Sequence, residues 1–228
     1  VRAPRRGQPA GGPAAPGDVT VRAGRVEGVA PAAGTAPAGA DVLDADGRLL
    51  LPGFVDAHVH GEAAVLDDDV QLAMLRQGVT SVVVGQDGVS YAPSPRPDAD
   101  GGPAASGLHD AAAWASGYFA AINGEHPTFR GGSVADLLAT YDGTTRVNVG
   151  YLAPHGTIRY AVLGAAARPA TPAETDRMLV LLASALDDGA LGLSTGLEYV
   201  PATYADEAAH DALSDTHLTL PTPPVGGS

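Results

Sequence analysis

Cysteine is absent from all 228 residues, so the chain has neither a disulfide framework nor a thiolate metal ligand. That suits a reducing compartment, and the cytoplasm is the expected location. Positive charge is scarce: Lys plus Arg number 13 against 26 Asp plus Glu, a net charge of -13. Such a surface repels polyphosphate, and nucleic acid is not an expected partner. No uncharged apolar run reaches the length of a membrane span. The Arg-, Pro-, Gly- and Ala-rich N-terminal stretch also lacks the apolar segment of a signal peptide. No membrane association is expected. What the chain does have is 45% hydrophobic residues, enough to bury a sizeable core.

Residues 1–17 carry no periodicity and are expected to be disordered. From Asp18, the strand-like pieces Val19–Val21, Val26–Val29, Val42–Leu43 and Arg48–Leu51 alternate with Gly, Pro and Asp turns, so residues 18–51 read as part of a small β-sandwich. The rhythm then changes. Leu49–Val55 is apolar, Asp67–Gln77 is helical with Asp67 or Asp68 as its cap, and Thr80–Val84 is a buried strand. Arg146–Leu152 and Ala190–Ser194 read as further strands. Between them Thr171-Pro172-Ala173-Glu174 forms a capping box that opens a helix closed by Gly189. A Pro- and Gly-rich excursion over residues 92–133, with a helix at Leu108–Ala121, interrupts the series. Repeated βα units with apolar strands define an α/β fold with a parallel sheet, either a barrel or a doubly wound sheet. From Leu213 the pattern stops, and residues 213–228 read as a tail that does not continue the βα repeat.

The strongest chemical signal is Pro52-Gly53-Phe54-Val55-Asp56-Ala57-His58-Val59-His60 at the end of an apolar strand. Strand side chains alternate faces, so His58 and His60 point the same way. Two adjacent imidazoles favour a divalent metal such as zinc. The plainer alternative is two polar residues at a loop start, and the apolar strand before them and Gly61-Glu62 after them weigh against it.

With this strand in view, the sequence resembles the amidohydrolase superfamily, and specifically its D-aminoacylase group. Further matches are Gly78 to Gly85, Pro154-His155-Gly156-Thr157-Ile158-Arg159, and Gly189 to Tyr199. The resemblance covers about residues 18–212. It implies a small β-sandwich joined to a (β/α)8 barrel, of which residues 52–212 would be the first half, about four βα units. A whole barrel takes about 250 residues, and only about 170 follow the His-x-His strand.

The resemblance makes His58 and His60 metal ligands, with one or two divalent ions expected: zinc, with manganese or cobalt as alternatives. Many relatives place a metal-binding cysteine two residues beyond the glycine ending the second strand. Here that position is Asp87, a metal ligand in its own right or a turn residue before Gly88. Tyr199 matches the position that contacts the substrate carboxylate, or is a half-buried aromatic. His155 would orient substrate, or, as the residues favour, cap the Gly156–Thr157 turn. His109, His126, His210 and His217 are assigned no role. No residue in the chain matches the family's general-base Asp, which is expected beyond the chain end. The implied activity is hydrolysis of small N-acyl-D-amino acids to a carboxylate and a D-amino acid in the complete protein, with this chain alone inactive. The rivals are a hydantoinase-like cyclic amidase and a non-catalytic truncated or pseudoenzyme fragment. Oligomeric state is not legible.

Overall fold

The computed structural model describes residues 15–32, 36–97, 107–119 and 121–219, with side chains to residue 216. The chain divides into two units, Val1–Gly53 and Phe54–Ser228. The expected disorder of the N-terminus falls almost wholly on residues outside those described.

Among its described residues the first unit holds an antiparallel hairpin, β1 (Gly17–Arg22) and β2 (Arg25–Pro31), closed by the two-residue turn Ala23-Gly24. A bulge interrupts it between Thr20 and Val21. The strands expected at Val42–Leu43 and Arg48–Leu51 do not form, and those four apolar side chains (Val42, Leu43, Leu49, Leu51) are exposed. A strand needs a partner for its backbone groups, and these short segments pair into no strand among the described residues.

The second unit is built on four parallel strands in sequence order: β3 (Phe54–Asp56), β4 (Val79–Val84), β5 (Asn148–Pro154) and β6 (Gly192–Ser194). Register is fixed by pairs such as Asp56 with Val82, Val84 with Tyr151, and Pro154 with Ser194. One sheet face buries Val82, Val84, Tyr151 and Ala153 under the helices. This is the α/β barrel-type sheet that the sequence predicts.

Helices α1 (Asp68–Arg76) and α5 (Pro172–Asp187) begin where local chemistry places them. The Asp67 carboxylate accepts from the amides of Asp69 and Val70, and Thr171 and Glu174 exchange capping-box bonds. At the end of α5 the amides of Gly189 and Ala190 donate to Leu186 and Ala185, the pattern of a Schellman stop. Helix α2 (Ala111–Tyr118) is shorter than the expected Leu108–Ala121 because Asp110 caps it from outside. Two helices were not legible: α3 (Val134–Ala139) and α4 (His155–Leu163).

The largest difference lies at the C-terminal side. Helix α6 runs over Glu207–Thr219, so the chain stays helical beyond Leu213 rather than losing its pattern there. Leu213 and Ala209, four residues apart on one face, both enter the core. Residues 220–228 of the expected tail lie outside those described. No helix among the described residues is long and apolar enough to cross a membrane.

Candidate metal centre

Three side chains converge at the C-terminal ends of β3 and β4. Asp56 ends β3 by accepting the His58 amide on its own carboxylate, a turn that throws His58 and His60 into the loop beyond the strand rather than onto it. The Asp87 Oδ2 atom lies 3.1 Å from His60 Nε2 and 3.7 Å from His58 Nε2. Donor atoms of all three residues fall within 4.8 Å of one another. The two imidazole rings are 5.5 Å apart and nearly perpendicular, so their nitrogens aim at a common region instead of stacking. Two donors each about 2.1 Å from a tetrahedral ion lie about 3.4 Å apart, a spacing that the two Asp87–His separations bracket. Two imidazoles and one carboxylate are donor types that suit a divalent cation, and the carboxylate stands at ligand spacing from both imidazoles. His58 is the open side, with 60% of its side chain exposed against 18% for His60.

The loop carrying Asp87 is held in an unusual path. Gly85, Asp87 and Gly88 all have positive φ, of 80°, 53° and 72°. At Gly85 a Cβ would sit 2.2 Å from the Leu152 carbonyl oxygen, so no other residue fits. Asp87 is a residue type that tolerates this region, and its conformation is kept by its neighbours. Buried Gln86 donates to the carbonyls of Ala57 and Val83 at 2.8 and 2.9 Å, tying the loop to the end of β3. Ser194 on β6 accepts the Gly88 amide at 3.1 Å and donates to the Gly85 carbonyl. Glu62, fully buried, accepts from the Gly85 amide and from Ser90. Burial pushes the Glu62 carboxyl above the usual carboxylate range.

Where the sequence favours His155 as the cap of a Gly156–Thr157 turn, the structure makes it the first residue of α4, fully buried, with its Nδ1 3.0 Å from Thr195 Oγ1. It does not join the metal cluster. Burial first, then the neighbouring His210 and Arg159 charges, lower its pKa to about 4, so it stays neutral at neutral pH. Tyr199 is also apart from the cluster but is linked to it through Phe119. The Phe119 ring lies 5.5 Å from Tyr199 and 5.9 Å from His60. Tyr118 accepts the Val200 amide at 3.1 Å, and Arg159 donates to the Pro201 carbonyl at 2.9 Å, fastening the Tyr199 segment from two sides. Phe119, Glu62, Gln86 and Ser194 were not singled out from the sequence. Their importance comes from partners distant along the chain, for which no local signal exists.

Residues 41–216 match the amidohydrolase family, and the chain belongs to that family. Within it, the likeness is to the D-aminoacylase group. The chain is 38% identical over 196 residues to N-acyl-D-aspartate deacylase of Alcaligenes xylosoxydans xylosoxydans, covering 86% of this chain and 36% of that protein. It is 35% identical over 209 residues to N-acyl-D-glutamate deacylase of the same organism, covering 90% and 38%. A crystal structure of D-aminoacylase superposes with a TM-score of 0.73 at 28% identity, covering 92% of this chain and 40% of that one. N-acyl-D-glutamate deacylase of Bordetella bronchiseptica, solved with zinc and a phosphonate mimic of the tetrahedral intermediate, gives 0.69 at 30% identity, covering 91% and 40%. The chain thus spans about two-fifths of the length of the relatives it matches.

Proposed function

We propose that this chain supplies one side of the active site of a metal-dependent hydrolase that cleaves the amide bond of N-acyl-D-amino acids, releasing a carboxylate and a D-amino acid. The observation that carries the reading is the His58, His60 and Asp87 cluster at the C-terminal ends of adjacent parallel strands, where barrel enzymes place their chemistry. Similarity to acidic D-amino-acid deacylases supports the substrate class.

His58, His60 and Asp87 would hold the metal, which when bound polarises the substrate carbonyl and lowers the pKa of a coordinated water. The donor set suits zinc, and a carboxylate in place of a thiolate makes it hospitable to manganese or cobalt. Tyr199 would donate its phenol to the substrate carboxylate. Phe119, packed between Tyr199 and His60, would form an apolar wall between the carboxylate-binding phenol and the metal. His155, neutral and bonded to Thr195, would steady the segment leading to Tyr199 rather than touch substrate.

The test has two parts. Calorimetric titration of the chain with zinc compares the parent with Asp87→Asn and Asp87→Cys, and amide hydrolysis is assayed in a full-length relative carrying the same Gln86-Asp87-Gly88 loop. Loss of zinc in the Asn variant with partial retention in the Cys variant supports ligation. An Asn variant with unchanged metal content and rate reduces Asp87 to a turn residue.

A further inference from the structure

We infer that Glu62 is a positioning residue that locks the loop carrying Asp87 to the loop carrying His60, and so sets the spacing of the metal donors. Glu62 follows His60 by two residues and is fully buried. Its Oε1 accepts from the Gly85 amide at 3.0 Å and from the Ser90 hydroxyl at 2.8 Å. Those two residues are the ends of the loop on which Asp87 sits. A single oxygen two residues from one metal donor thereby clamps both ends of the segment that presents another.

Both ends of the clamp are themselves fixed. The Ser90 amide donates to Thr157 Oγ1 at 2.9 Å, and Thr157 Oγ1 donates back to the Ser90 carbonyl at 2.8 Å, binding that end to α4. On the other side, the Glu62 carbonyl accepts the Tyr141 hydroxyl at 3.0 Å. No Arg or Lys pairs with Glu62 among the described residues, and its Oε2 has no hydrogen-bond partner there. An acid buried without a countercharge is costly, and an apolar side chain would fill the space more cheaply. What an apolar side chain cannot do is accept the Gly85 amide where the backbone turns left-handed. Outer groups that orient ligands in this way change metal affinity by about 10–100-fold when removed.

This inference rests on the metal reading of His60 and Asp87, so the test uses two readouts on the 228-residue chain. Zinc affinity is measured by calorimetry, and hydrogen exchange at the Gly85 amide is measured without metal. Glu62→Ala should weaken zinc by about 10–100-fold and speed exchange at Gly85. Glu62→Gln, which keeps an acceptor oxygen, should stay within a few-fold of the parent, and Ser90→Ala should fall between the two. Should Glu62→Ala fail to fold, the Gln and Ser90→Ala variants carry the comparison. Parent-like zinc binding in Glu62→Ala, or a loss in Glu62→Gln as great as that expected for Ala, overturns the inference. If the parent binds no zinc, the metal reading falls by itself. Gly85 exchange unchanged in Glu62→Ala would then overturn the clamp as well.

Discussion

Replacing Gly85 by alanine isolates the physical cost of the loop that presents Asp87. The residue has φ +80°, and an added Cβ would lie 2.2 Å from the Leu152 carbonyl oxygen and 3.1 Å from the Leu152 nitrogen. The left-handed conformation costs about 1 kcal/mol for a residue with a Cβ. The contact must also open by about 1 Å between two backbones, and overpacking of this kind costs about 1–3 kcal/mol. Together these predict a loss of about 3 kcal/mol. Gly143 supplies the control: it has φ +67° in an exposed turn, and a Cβ there meets nothing within 4 Å. Gly143→Ala should therefore cost only the conformational part, about 1 kcal/mol. Urea denaturation followed by fluorescence of Trp114, the single tryptophan, reads the stability of the unit containing both sites. Zinc titration should show lost affinity in Gly85→Ala and parent affinity in Gly143→Ala, since only the first displaces Asp87. Equal destabilisation of the two variants within about 0.5 kcal/mol would refute the reasoning, because it would mean that the loop retreats from Leu152 without resistance.

Leu213→Ala should lower stability by about 3 kcal/mol, since Leu213 is a fully buried core residue of α6; a change of only a few tenths in denaturant unfolding would return it to a tail. His155 ties stability to pH. Its folded pKa of about 4 lies below the unfolded value of about 6.5, so its contribution is complete above pH 6.5 and drains away as pH falls toward 4, by up to about 3 kcal/mol. Unfolding midpoints at pH 7 and pH 5 should differ less in His155→Asn than in the parent. His126, which burial and then Arg130 also lower to about 4, adds a contribution of the same sign that His155→Asn leaves in place. An unaltered pH dependence in His155→Asn would exclude the histidine as its source.

Several features followed from the sequence because their physics is local. The Asp67 cap and the Thr171–Glu174 box act over three residues, and the apolar run at Val79–Val84 states a buried strand without reference to the rest of the fold. His58 and His60 were legible as a pair from the His-x-His pattern, although the structure sets them in the loop beyond β3 rather than on a strand face, and Asp87 was reached through the resemblance, as the position where relatives carry a cysteine. Helix α4 escaped because eight of its nine residues are buried, so it has no apolar stripe to betray a 3.6-residue period. Helix α3 is only six residues long and follows a Pro- and Gly-rich stretch that reads as loop, although its Ser133–Asp136 capping box was present. Only the tertiary structure decided that Asp87 meets His60 at 3.1 Å, that Ser194 reaches back more than a hundred residues to the Gly88 amide, and that Glu62 is enclosed while Leu43 is not. Side-chain type and spacing set what a segment can do, but a separation in space or a burial depends on which distant segments pack beside it. That is decided by the register of four parallel strands and by the loops their ends bring together.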